Sequence, residues 1–208
     1  MLQHAPFTIF IVIITVLVSL LGFSRPEIQA RLMLNPYLVF REKQFYRTLT
    51  SGFLHADYMH LLFNMLTFYI FAPVVEIRYS MMFGQNMGIV MLAILYLGAI
   101  VVSDLPTLFK YKDTSYYNSL GASGGVSAIV FANILFDPLN KLCLYGFICM
   151  PGFILGLFYV IYSYFQDKRQ GDNVNHSAHL YGAIFGFSFT ALIKPSLLMA
   201  FIEQLSKW

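Results

Sequence analysis

Residues 118–136 read NSLGASGGVSAIVFANILF, and they set one hydroxyl, Ser123, among glycines at the start of an apolar helix. The helix must stop near Asp137-Pro138, because a charge ends the apolar run and proline disfavours helix in the residue before it. Fourteen residues at about 1.5 Å each then put Ser123 only ~21 Å above that end, against a hydrocarbon core about 30 Å thick. The serine therefore starts its helix below the opposite membrane surface. Gly121, Gly124 and Gly125 strip side chains from its surroundings, so another backbone can come close. A helix N-terminus also offers unpaired N–H groups and a partial positive charge, which suit an oxyanion forming beside a nucleophile. The plainer reading is that these small residues only let helices pack; what sets it aside is the rest of the chain.

At 208 residues, 58% hydrophobic and 11% charged, with a mean hydropathy of +0.67, the chain reads as an all-α polytopic membrane protein forming a single domain over 1–208. Its formal charge of +3 is spread over loops, which excludes a nucleic-acid groove. Cys143 and Cys149, six apart in one apolar segment, match neither a zinc spacing nor a disulfide pattern. The first apolar run lacks a basic leader and a cleavage site, so it reads as a retained span.

Six apolar segments emerge, near 6–23, 59–75, 86–102, 120–136, 142–165 and 177–193. The first carries nothing more polar than Thr and Ser and is expected to face lipid. A long first loop, 24–58, mixes five basic residues with Leu, Phe and Tyr, as an amphipathic segment in the interface would. The second segment opens on His55, His60 and Asn64, polar groups that lipid would not favour. His60 and Asn64 share a helical face, and counting from an inner end at Glu76 places them about 24 Å and 18 Å up, bracketing Ser123. His55 is expected to be satisfied by a backbone carbonyl, and Asp57 and Glu76 to be helix-end charges. The third segment is scaffold, followed by a loop over 103–119. The fifth, interrupted by Gly146, Pro151, Gly152 and Gly156, is either a lateral gate or an ordinary kinked helix with an aromatic belt.

The sixth segment opens NHSAHLYGAIFG and ends at Lys194-Pro195. Counting back from Ile193 puts His179 about 22 Å up, level with Ser123, and His176 a turn nearer the surface. Gly182 and Gly186 lie on roughly the His179 face at the spacing that lets membrane helices touch backbone to backbone. The fourth and sixth helices are therefore expected to be in contact. A neutral His179 beside Ser123 would take its proton, and His60, Asn64 and the Ser123 N–H would bind an oxyanion. No carboxylate lies at matching depth, so a Ser-His dyad is expected, in a water-filled cavity. The rival is a metal-dependent, ceramidase-like membrane hydrolase using His55, His60, His176 and His179. It lacks His-Glu-x-x-His and leaves the serine unexplained. A second rival is a non-catalytic binder of membrane segments.

Taken together, Tyr46-Arg47, His55, His60 with Asn64, Glu76, Gly121-Ala122-Ser123-Gly124, and His179 with Gly182 and Gly186 resemble the six-helix bacterial type of rhomboid intramembrane serine protease. The resemblance implies Ser123 as nucleophile, His179 as general base, and His60 and Asn64 as oxyanion donors. Tyr46-Arg47 would mark the long first loop. It also implies cleavage of transmembrane protein substrates near helix-destabilising residues, with no metal and no cofactor. The protein would be a multi-pass protein of the inner membrane, with its site opening to the outer, periplasmic side.

Two departures stand out. Some family members carry a tyrosine four residues after the nucleophile, stacked on the catalytic histidine; here that position is Ser127, so another aromatic is expected to hold His179. The loop before the sixth segment, with Lys168, Arg169 and Asp172, is unusually charged for a membrane-dipping cap. The implied orientation also puts nine of thirteen Lys and Arg on the outer side and four inside, against the positive-inside tendency.

Overall fold

The computed structural model describes residues 5–144, 148–169, 172 and 174–208. Helix α1 (Pro6–Ser24) leads into three short helices, α2 (Pro26–Leu32), α3 (Pro36–Arg41) and α4 (Arg47–Thr50), and a 3-10 turn. The long helices α5 (Tyr58–Phe83) and α6 (Gln85–Lys110) come next, then α7 (Ser123–Phe136). A hairpin of β1 (Lys141–Leu144) and β2 (Ile148–Pro151) precedes α8 (Gly152–Arg169), α9 (His176–Ile193) and α10 (Ser196–Ser206). The architecture is the expected all-α membrane bundle. Among the described residues, α1, α5 and α6 are each long and apolar enough to cross a bilayer, whereas α7 is a shorter apolar helix.

Helix α7 is the centre: twelve of its fourteen residues are buried, so it has no lipid face at all. Around it the other helices turn apolar side chains outward, as a bundle in lipid must. Helix α1 buries Thr8, Ile11, Thr15, Ser19 and Gly22, a stripe at helical spacing, while Phe10, Ile13 and Leu17 are exposed. The first segment therefore faces lipid on one side only, and its small polar residues face the protein.

That stripe corrects the reading of Glu76. Helix α5 runs on to Phe83, so Glu76 sits in its interior, fully buried. No side chain of α1 caps its own N-terminus. The Glu76 carboxyl fills that place, accepting from Phe7 N at 3.0 Å, Thr8 N at 2.9 Å and Thr8 Oγ1 at 2.6 Å. The carboxylate is a clamp between two helices and not an end charge.

Other expectations also change. The expected loop over 103–119 is helical to Lys110, with Asp104 and Pro106 inside α6. The fifth segment is not one kinked helix. Its start holds the strands β1 and β2, across which Cys143 faces Cys149, and the two form a disulfide. Antiparallel pairing, unlike a helix, brings residues six apart together. Pro151 ends β2, and Gly152 N and Phe153 N donate to Asn140 O and Pro138 O, so the turn after α7 clasps the start of α8. Gly146 lies outside the described residues. Residues 196–206, for which no element was expected, form α10, bent by 111° from α9, with Met199 and Ile202 exposed.

The long first loop does more than lie in an interface. Arg47 is buried and donates to Ala30 O at 2.9 Å, Met33 O at 2.8 Å and Gln44 Oε1 at 2.6 Å, folding α2 to α4 around its guanidinium. Leu34 and Ser119 pair backbone to backbone, and Leu34 and Val39 pack on Leu108 of α6. The loop thereby buttresses the residues that lead into α7.

Replacing Glu76 by Ala strands the buried N–H and hydroxyl of Thr8 and the half-buried N–H of Phe7, which should cost roughly 3 kcal/mol and be read as a lowered thermal midpoint in detergent.

Candidate active site

The turn before α7 is held from two sides. Gly121 donates its N–H to Ser51 O at 3.0 Å and takes φ +134, a left-handed conformation that glycine tolerates. A Cβ on Gly121 would lie 2.8 Å from His60 Cε1 and 3.1 Å from Nε2, so the His60 ring rests against this turn. Ser123 then opens the helix, half-buried, and no side chain caps it. Its first-turn N–H groups are free of side-chain partners, as an anion site requires.

The contact between α7 and α9 is made of main chain. A Cβ on Gly182 would sit 2.2 Å from Gly124 O, and one on Gly186 2.2 Å from Ala128 O. Only glycine permits that approach, and it seats the second turn of α9 on the first turn of α7. His179 is one turn before Gly182, and Ser123 is next to Gly124. The two helices that carry the serine and the histidine thus meet near their N-terminal ends, Gly124 against Gly182 and Ala128 against Gly186. Asn175 caps α9, its side chain accepting from Ala178 N at 3.1 Å, and so fixes where His179 begins its turn.

On the second side, Asp57 caps α5 by accepting from His60 N at 2.8 Å, which places His60 in the first turn. His60 Nδ1 lies 3.5 Å from Ala56 N, a long contact that suits a proton on Nε2, the ring nitrogen nearer Gly121. Asn64 gives one amide hydrogen to His60 O at 2.9 Å and keeps the other. His55 is buried and holds Ser19 Oγ at 2.9 Å through Nδ1, so its ring meets a hydroxyl of α1 and not the expected backbone carbonyl. Its ring lies edge-on to His60 at 4.9 Å. Burial pushes the His55 imidazole down to about 3, so it stays neutral.

His176, the first residue of α9, holds Asp172 through Nε2 at 3.1 Å. That hydrogen bond keeps the Asp172 carboxyl below its ordinary range. His179 sits 5.7 Å from the His176 ring, and among the described residues no carboxylate hydrogen-bonds it. Its other neighbour is a residue that sequence reasoning missed: the Tyr159 ring of α8 lies nearly parallel to it, centroids 6.0 Å apart and planes 21° apart. No local spacing links residue 159 to 179, although the serine at 127 was a signal that some aromatic would be needed.

A polytopic bundle with a serine at a capless helix start, beside glycines that let a histidine-bearing helix touch it, defines a class of membrane-embedded helical proteins. Within that class the chain belongs to the rhomboid family: the Rhomboid domain matches residues 42–196. The chain is 28% identical over 170 residues to "RHOMBOID-like protein 12, mitochondrial" of Arabidopsis thaliana, a match covering 73% of this chain and 48% of that protein. It is 28% identical over 149 residues to "Putative rhomboid protease YdcA" of Bacillus subtilis (strain 168), covering 72% of this chain and 67% of the relative. The chain thus spans about half the length of the Arabidopsis relative.

Gly182→Ala should lower stability by ~1–3 kcal/mol, because the new methyl meets backbone that cannot swing aside. Gly98→Ala, whose Cβ would meet only the Phe185 ring at 3.3 Å, should cost far less. Thermal unfolding in detergent of the two variants checks the difference.

Proposed function

We propose that the protein is an intramembrane serine endopeptidase that cleaves transmembrane segments of other proteins. The carrying observation is the backbone contact of Gly124 with Gly182, which sets the serine helix against the histidine helix. Family membership and a relative named as a rhomboid protease support the reading. Ser123 Oγ attacks the scissile carbonyl carbon as its proton passes to His179. The developing oxyanion takes hydrogen bonds from the Ser123 N–H, His60 Nε2 and the free Asn64 amide hydrogen. The intermediate collapses, His179 hands the proton to the leaving amine, and water, deprotonated by His179, releases the acyl group from Ser123.

A crevice of 230 Å³ between α8 and α9, lined by Phe131, Val160, Ala183, Ile184, Phe187 and Ser188, suits lateral approach of an apolar substrate segment from lipid. The metal-hydrolase alternative has less support: His55 and His176 are held by Ser19 and Asp172. Among the described residues no three His, Cys, Asp or Glu side chains gather to hold a metal. A non-catalytic binder needs neither the serine nor the base.

The expected setting is the inner membrane with the site opening outward. The excess of basic residues on the site's side points the other way, as does the disulfide at the far end of α7, since thiols are kept reduced in the cytosol. A topology reporter fused after Trp208 should be active on the inner side, and activity on the outer side would reverse the assignment.

Ser123→Ala and His179→Ala should each abolish cleavage of a transmembrane substrate by purified, folded protein. Asn64→Ala should lose ~10²-fold, as single oxyanion donors do. Chelator should leave the rate unchanged; loss of activity on chelation, or normal cleavage by Ser123→Ala, would overturn the mechanism.

A further inference from the structure

Residue 159 is where three helices meet. The Tyr159 ring of α8 lies along His179 of α9, and its hydroxyl shares a 2.5 Å hydrogen bond with Ser127 Oγ of α7. Ser127 is 5% exposed and stands one turn below Ser123. The Phe131 ring, a further turn down α7, packs on the same tyrosine with centroids 5.8 Å apart. A tyrosine hydroxyl in such surroundings needs a partner, and Ser127 supplies it. The bond also sets the angle of the ring, since an aromatic with one anchored end has few orientations left.

We propose that Tyr159 is the positioning residue that holds the His179 imidazole in its working orientation, with Ser127 as its anchor. This rests on the Ser123–His179 reading. The serine helix thereby reaches the base through a side chain of a third helix. That helix is the outlying one: Leu157, Phe158, Ile161 and Phe165 are all exposed. Its inner contact is close where Gly156 lets it lie on Phe131 and Ile134, one turn before Tyr159. Any outward tilt of α8 would draw Tyr159 from Ser127 and His179 together. The base is then correctly held only when α8 is seated.

The test separates holding the base from admitting substrate. A small fluorophosphonate labels Ser123 without needing the route a membrane segment takes, yet it still needs His179. Tyr159→Ala should slow both labelling and kcat by ~10- to 100-fold, the scale of a misplaced catalytic group, with KM changed less than about 2-fold. Tyr159→Phe keeps the ring and should recover most of that loss, remaining roughly 2- to 10-fold slow, as one hydrogen bond would give. Ser127→Ala should match Tyr159→Phe, and the double variant should be no slower than either. Wild-type labelling by Tyr159→Ala, or losses that multiply in the double variant, would overturn the proposal. If Tyr159→Ala does not fold, Tyr159→Phe and Ser127→Ala decide it by the same comparison. Failure of the underlying reading looks different, because Ser123→Ala would then still cleave.

Discussion

Two stretches of bare main chain pressed together, Gly124 on Gly182 and Ala128 on Gly186, are what the rest of the molecule depends on. In lipid there is no hydrophobic gain in bringing helices together, so association comes from close van der Waals packing and from polar contacts. Glycines permit the closest packing and bring with them whatever stands beside them in the chain. Here that is Ser123 on one rod and His179 on the other. Helix α7 can be short because it is surrounded: its capless start need not reach the membrane surface, and its polar first turn faces protein.

The surrounding parts serve that contact at different distances. The long first loop, folded around buried Arg47, pins the backbone at Ser119 and Gly121, so the turn into Ser123 is fixed before the helix begins. Glu76 and Ser19 fasten α1 to the α5 side, and through His55 the fastening reaches the edge of His60. These are polar contacts between helices at positions where lipid would leave such groups unsatisfied, which makes each of them costly to lose. Helix α8 touches the centre through fewer groups, and Tyr159 is the one that reaches His179.

Much of this was legible in the sequence. Counting down to Asp137 and to Ile193 used the true ends of α7 and α9, and the expected contact between those two helices is present as Gly124 against Gly182. Counting from Glu76 used a false end, since α5 continues to Phe83; His60 still meets Gly121 because that contact is sideways and set by the Asp57 cap. The pairing of β1 with β2 was hidden because a short apolar strand and a stretch of membrane helix look alike in sequence, and only the pairing of Cys143 with Cys149 distinguishes them. Tyr159 was unreadable for a different reason. Its partners are 32 and 20 residues away, and no periodicity joins residues on three helices.

The most direct test of the central claim uses a bifunctional mechanism-based inhibitor that acylates a serine and then alkylates a histidine within reach, followed by digestion and mass spectrometry. The account predicts one cross-linked species, joining the peptide that contains Ser123 to the peptide that contains His179. Modification of Ser123 with no bridge to His179, or a bridge from Ser123 to His55 or His176, would contradict it.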